Sequence, residues 1–157
     1  MMKVTKYVLE DLFDQYNKLF FDGILVKPQL ATYIGESTMG IFNVSGRRGK
    51  VNLKILIVRN VRYTPEDLRD VLVHEMIHLY VYQEIGPGLG HKMPFVDKMN
   101  ELNAKYGLDI RKDAKHLRDK YIRKKNEKKS PTGWLHQLRT LLRLMPWHSG
   151  WTPHWLA

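Results

Sequence analysis

The sequence predicts an α+β fold followed by a basic C-terminal tail, and three observations lead to that prediction. Its helical and strand-like patterns follow in the order helix, strands, helix, helix, whereas a doubly wound sheet alternates strands with helices. The 157 residues suit one domain with an extension. A hydrophobic fraction of 43% with 27% charged residues is ordinary for a globular protein and excludes wholesale disorder.

The first half of the chain is predicted to hold one helix and a small sheet. Apolar residues between positions 5 and 21 recur at helical spacing, and Gly23 ends the helix because glycine readily adopts the left-handed conformation. Short aliphatic and partly alternating runs then indicate strands. The three expected strands, and the hairpin loop before the third, lie at about Gln29–Ile34, Met39–Val44, Val51–Val58 and Ser45–Gly49.

The second half is predicted to be helical. Thr64 as a cap, a proline at the first position and acids in the first turn begin a helix that runs to about Glu84. A further helix is expected from near His91 to Tyr106. A helix is one interpretation of the charged stretch at 111–129, and a short amphipathic helix is expected at 134–145.

The charge is unevenly distributed along the chain. Residues 1–110 hold 14 basic and 13 acidic residues, a balance of +1, whereas residues 111–157 hold 12 basic and 3 acidic residues, a balance of +9. Such an asymmetry is typical of proteins that bind DNA or another polyanion. The alternative interpretation is a solvated helical face that only maintains solubility.

The sequence contains no cysteine, which excludes a disulfide scaffold, a thiolate zinc finger and a cysteine nucleophile. A transition metal would therefore be held by His, Asp or Glu. The N-terminus lacks the apolar region of a signal peptide, and the longest aliphatic run, Ile55–Val58, is far shorter than the ~20 residues that span a bilayer. A cytoplasmic protein is the expectation.

The most informative pattern is His-Glu-Met-Ile-His, which lies within the predicted helix that begins near Thr64. Residues four apart share one helix face, so His74 and His78 can direct their imidazole nitrogens at one point. Two imidazoles, a third ligand and a water form the usual catalytic zinc site, and Glu75 is placed to exchange protons with that water. The alternative is a structural role, with two core histidines and a glutamate satisfied by local partners.

His91 is the expected third metal ligand. It lies thirteen residues after His78, just beyond a glycine-rich turn that can reverse the chain and approach the metal closely. Glu101 is the competing candidate, because some zinc peptidases take a glutamate from a later helix. The metzincin pattern is excluded, since it requires glycine and histidine at the positions that hold Val81 and Glu84. The histidines of the tail are expected to be exposed, namely His116, His136, His148 and His154.

Four motifs in the expected order resemble the SprT-like domain, the zinc-peptidase domain shared by bacterial SprT proteins and the eukaryotic protease Spartan. The resemblance covers about residues 8–106. The motifs are Tyr16-Asn17 with Phe20–Gly23, Met39–Phe42, His74–His78, and Gly90-His91 with Phe95.

The resemblance implies a fold, a cofactor and the roles of four residues. The fold is a minimal zincin, in which a small three-stranded sheet packs on the metal-bearing helices. One Zn²⁺ would be bound by His74, His78 and His91, with Glu75 as the catalytic acid and base. The implied domains are a SprT-like metallopeptidase domain at 1–108 and a basic, tryptophan-containing extension at 109–157. Many members carry a cysteine-rich zinc module after the protease domain, which a chain without cysteine cannot form.

The leading functional hypothesis is a zinc-dependent endopeptidase that cleaves proteins or peptides, including proteins associated with nucleic acid. One alternative is a nucleic-acid-binding adaptor whose zinc site is structural or vestigial, and another is a zinc hydrolase that acts on a non-peptide amide. DNA or another polyanion would be bound through the basic tail. The candidate residues for that contact are Arg111, Lys112, Lys115, Arg118, Arg123, Lys124 and Lys125.

Overall fold

A three-stranded mixed sheet and four α-helices make up the part of the chain that the computed structural model describes, residues 2–47, 50–113 and 115–123. Residues up to Ile122 form one compact unit. This agrees with the predicted α+β class. No helix within the described residues is both long enough and apolar enough to cross a membrane. The expected helix at 134–145 and the tail tryptophans lie outside the described residues.

Helix α1 spans Lys6–Phe21, as the apolar spacing predicts. The Thr5 hydroxyl accepts a hydrogen bond from the Val8 N–H at 3.3 Å and caps the first turn. The helix ends where Asp22 and Gly23 adopt positive φ angles of 54° and 76°. Its buried face carries one leucine and three phenylalanines into the core, Leu9, Phe13, Phe20 and Phe21.

The sheet consists of β1 (Gln29–Tyr33), β2 (Gly40–Arg47) and β3 (Lys50–Val58) in the order β1-β3-β2. Strand β3 is central, parallel to β1 and antiparallel to β2. Strand β2 therefore forms an edge of the sheet. The predicted hairpin loop at Ser45–Gly49 is wrong in part, because pairing continues to Arg47↔Lys50. A two-residue connection is sufficient for an antiparallel hairpin, so polar residues can extend the strands.

Helix α2 spans Pro65–Glu84 and lies at the centre of the domain, where it packs against β2, β3, α1 and α3. Thr64 caps it, since its hydroxyl accepts a hydrogen bond from the Asp67 N–H at 3.2 Å. The helix is buried along most of its length, which explains its dense apolar sequence. Its buried side chains are Leu68, Val71, Leu72, Val73, Glu75, Met76, Ile77, Leu79 and Val81.

Helix α3 spans Met93–Tyr106 and ends at Gly107, which has a φ of 65°. It therefore begins two residues later than expected, and His91 lies in the preceding turn. The reason is local, because Pro94 lacks an N–H and has a fixed φ, both of which suit the first turn of a helix.

After α3 the chain returns to α2 through residues 108–113 and 115–123, which we call the return segment. It contains the short helix α4 (Lys115–Arg118) and a π-helical turn (Asp119–Arg123). Ile110 and Leu117 are 2% and 3% exposed and belong to the main core. The charged stretch that begins at residue 111 is thus helical at 115–118 and 119–123. Leu117 anchors it to the main core.

A cluster of hydrogen bonds fastens the return segment to the start of α2. Tyr121 donates to the Asp67 carboxylate and accepts from the Thr64 N–H at 3.1 Å. Lys120 Nζ lies 2.5 Å from the same carboxylate. Burial opposes ionisation of Asp67, but the hydrogen bonds from Lys120, Tyr121 and Thr64 outweigh it and lower the pKa. The result is a charged clasp between residues more than fifty positions apart.

Candidate metal centre

Helix α2 and the turn before α3 bring three imidazoles together. His74 and His78 lie one helical turn apart on α2, and His91 approaches them from the turn. His91 Nε2 lies 3.0 Å from His74 Nε2 and 3.0 Å from His78 Nε2. All three candidate ligand atoms lie within 4.8 Å of one another, so these histidines can hold a metal ion.

The hydrogen-bond pattern indicates that a cation suits this cluster. His74 Nδ1 lies 2.9 Å from the Arg111 carbonyl oxygen, which only accepts, so the neutral ring carries its hydrogen on Nδ1 and a lone pair on Nε2. One ring N–H on His91 can donate to only one of its two close nitrogen neighbours. A metal ion among the three nitrogens satisfies all three lone pairs at once.

The separations also fit the size of a zinc site. Two nitrogens bound tetrahedrally at about 2.0–2.1 Å from zinc lie about 3.3 Å apart, close to the 3.0 Å measured here. Glu101, the competing ligand, is placed elsewhere. Its carboxylate is bound by Lys98 Nζ at 2.9 and 3.1 Å on the exposed side of α3.

The three imidazoles are neutral near pH 7, the form that binds metals. Burial, together with the neighbouring His91, lowers the pKa of His74 to about 4. Burial, together with the other two rings, lowers the pKa of His78 to about 3. The pKa of His91 is also lowered, by burial and then by the positive charge of Lys112. Protons therefore compete weakly with a metal for these nitrogens.

The Phe95 ring packs against all three imidazoles. Its ring centroid lies 4.8 Å from that of His74, 4.5 Å from that of His78 and 4.7 Å from that of His91. Phe95 is fully buried on α3, so it restricts all three imidazoles at once. The motif Gly90-His91 with Phe95 includes this residue, and its position four residues after His91 is the feature of the sequence that places it near the imidazoles.

Glu75 lies beside the imidazoles, buried in the cleft with 6% of its surface exposed. Burial raises the pKa of Glu75 to about 8, and a hydrogen bond from the Phe42 N–H acts in the opposite direction. Strand β2 approaches it closely at Gly40, where an added Cβ would lie 2.5 Å from Glu75 Oε1. Only glycine leaves room for this carboxylate, a requirement that the sequence alone did not reveal.

A cleft runs past Glu75 between the β2 edge and α2, and it widens into a pocket on each side. The first pocket, about 300 Å³, is lined by His74, Glu75 and residues of the return segment. The second, about 700 Å³, is lined by His78, His91 and other residues of the turn before α3. Glu75 borders both pockets, so it lies at their junction.

The basic residues proposed for nucleic acid have different positions. The Arg111 backbone carbonyl contacts His74, while the Arg111 side chain pairs with Asp109 at 2.8 Å. Lys112 is exposed beside the imidazoles. Lys115 and Arg118 line the first pocket. Arg123 lies in the π-helical turn, and the remaining two, Lys124 and Lys125, lie outside the described residues.

His116 differs from expectation, because it is half-buried rather than exposed. The neighbouring Leu117 belongs to the core, and a residue next to a buried position on a short helix is drawn partly inward. The other tail histidines, His136, His148 and His154, lie outside the described residues.

Comparison with known proteins agrees with the geometry. The model of the SprT-like family matches residues 9–129, a range that includes the helix α2 imidazoles, His91 and the whole return segment. None of the curated proteins compared with this chain matches it. Because the family match covers more than half of the chain, the protein belongs to the SprT-like family.

Proposed function

We propose that this protein is a zinc-dependent endopeptidase, in which His74, His78 and His91 bind the metal and Glu75 is the catalytic acid and base. The observation that carries the proposal is the convergence of three neutral imidazoles beside a buried carboxylate in an open cleft. Membership of the SprT-like family supports it.

When bound, zinc supplies Lewis acidity, which makes water a competent nucleophile near neutral pH. The residues of the chain do the remaining work. The Arg111 carbonyl holds the His74 ring in one tautomer, and Phe95 restricts the imidazoles. Glu75 accepts a proton from water in the cleft and delivers it to the amine that leaves, which are the roles of a general base and a general acid.

The edge position of β2 favours a peptide over a compact amide substrate. Within the described sheet β2 pairs with β3 alone, so its outer edge offers backbone N–H and C=O groups to an added strand. Gly40 to Phe42 lie along the cleft on that edge, next to Glu75. An extended peptide bound there would place a backbone amide at the junction of the two pockets.

The test is zinc stoichiometry and cleavage of an unfolded protein by the wild type and by Glu75→Gln. We expect the variant to retain about one zinc ion per chain and to lose cleavage by at least about 10²-fold, because proton transfer is lost. Glu84→Gln is the matched control, since Glu84 ends the same helix and is exposed. Unchanged cleavage by Glu75→Gln would remove this residue from the mechanism.

The uneven charge supports a second candidate, a nucleic-acid-binding adaptor that uses the same zinc site structurally. The balance of +9 over residues 111–157 is the observation that favours it. Lys124, Lys125, Lys128 and Lys129 can be changed together to glutamine in the full chain, which leaves the core residue Leu117 intact. Salt-sensitive DNA binding that disappears in this variant, with no cleavage of any unfolded protein, would favour the adaptor.

A further inference from the structure

We propose that the cleft selects peptides with an acidic side chain on one side of the cleaved bond and an apolar side chain on the other, and that Lys115 and Arg118 determine the acidic preference. This inference rests on the proposed peptidase function. The juxtaposition that carries it is a pocket with two cations and a larger apolar pocket, which meet at Glu75.

The first pocket offers cations to a substrate side chain. Lys115 and Arg118 come from α4 of the return segment and line the pocket together with Ser37 and Thr38 of the loop before β2. Among the described residues no ion pair involves Lys115, and the contact of Arg118 with Asp119 is long, at 3.7 Å. Both cationic groups can therefore turn toward a carboxylate in the pocket.

Asp113 is the opposing charge on the same wall. One of its carboxylate oxygens accepts the backbone N–H of Lys115 at 3.0 Å, so it is engaged in the turn that begins α4. The local balance on this wall is two cations against one carboxylate. Ser37 also lines the pocket, while the Thr38 hydroxyl lies 2.7 Å from the Tyr33 hydroxyl. The two cations and the Ser37 hydroxyl are therefore the groups that an anionic side chain can meet.

The second pocket is larger and is lined mainly by aromatic and aliphatic side chains. Phe42 and Tyr82 meet edge to face with centroids 6.0 Å apart, and aliphatic side chains surround them. Among the described residues no lysine, arginine or aspartate lines this pocket. Its volume of about 700 Å³ accommodates a large apolar side chain. The apolar lining is Ile41, Phe42, Val44, Val81, Tyr82 and Leu89.

A peptide carboxylate fits the first pocket better than a nucleic-acid backbone does. The pocket is about 300 Å³, at the lower end of ligand sites, which suits one side chain. Asp113 also lines it, and this carboxylate opposes a continuous polyanion.

The experiment compares kcat/KM for matched unfolded peptides that differ only in a Glu, Gln or Lys beside the cleaved bond, with an apolar residue on the other side. We expect Glu to exceed Gln by roughly two- to fivefold in the wild type, the effect of one solvent-accessible ion pair. In the Lys115→Gln/Arg118→Gln protein the ratio of kcat/KM for Glu over Gln peptides should fall to about one. The Lys115→Arg/Arg118→Lys protein, which keeps both charges, should retain the wild-type ratio. Arg62→Gln, an exposed cation outside both pockets, is the control with an unchanged ratio.

Binding of the same peptides to the Glu75→Gln protein separates this inference from the proposed function. If the wild type cleaves no peptide, the peptidase proposal fails, and the affinities for Glu and Gln peptides still decide the inference. Equal affinities, or a Glu preference that persists without Lys115 and Arg118, would overturn it. Loss of salt-sensitive DNA binding in the Lys115→Gln/Arg118→Gln protein, with no Glu preference in the wild type, would assign the cations to nucleic acid instead.

Discussion

The substitution Gly40→Ala tests how closely β2 must approach the candidate catalytic carboxylate. An alanine Cβ at this position would lie 2.5 Å from Glu75 Oε1, 2.8 Å from its Cγ and 2.9 Å from its Cδ. Gly40 is not among the glycines with positive φ, so alanine is compatible with the strand backbone. The effect therefore comes from space alone.

The size of the displacement follows from these distances. Ordinary heavy-atom contacts lie near 3.5–4.0 Å, so the carboxylate must move by about 1 Å to accept the methyl group. A misplacement of about 1 Å in a reacting group costs about 10²-fold in rate. Overpacking also lowers the free energy of unfolding by about 1–3 kcal/mol. None of the three imidazoles lies among the nearest contacts of the added atom, so zinc binding should persist.

The assay is steady-state cleavage of an unfolded protein, with zinc content and the free energy of unfolding measured on the same samples. Gly46→Ala is the matched control on the same strand, because among the described residues its Cβ would meet only the Lys50 carbonyl, at an ordinary 3.5 Å. We expect Gly40→Ala to bind zinc and cleave about 10²-fold more slowly. Cleavage within a few-fold of the wild type, or an equal loss in Gly46→Ala, would refute the reasoning.

Two further predictions concern the support of the site. Phe95→Ala should lower the free energy of unfolding by about 3–5 kcal/mol and weaken zinc binding, because this ring is fully buried and contacts all three imidazoles; unchanged zinc affinity in a titration would contradict this. Asp67→Asn should lower the free energy of unfolding at pH 7 by about 1.5–3 kcal/mol, since it weakens the hydrogen bonds from Lys120 and Tyr121. The fold lowers the pKa of Asp67, so the ionised carboxylate stabilises the protein fully at pH values above its unfolded pKa of about 3.9. This stabilisation is lost as the pH falls through the lower pKa of the folded state. Denaturant unfolding of the wild type and of Asp67→Asn should therefore give free energies of unfolding whose difference shrinks in acid. A difference independent of pH would count against a stabilising role for the Asp67 carboxylate.

Much of the fold was predictable because its signals are local. Thr64 caps the helix that its position predicts, the first helix lies where its apolar spacing predicts, and the α+β order of elements is confirmed. Such signals act within one helical turn and need no distant partner. The errors fell at the hairpin, where strand pairing continues to Arg47↔Lys50, and at the start of α3, where Pro94 suits a first turn two residues later than expected.

The spacing within one helix turn was sufficient to place His74 and His78 on the same face beside Glu75, because helix geometry alone sets that arrangement. The glycine-rich turn made His91 the better candidate over Glu101, but only the folded chain brings its ring to 3.0 Å from the others. The Arg111 carbonyl, the Phe95 ring and the space at Gly40 arise from contacts between elements far apart in the chain. Those contacts depend on how α2, α3, β2 and the return segment pack together, which cannot be predicted from residue spacing along the chain.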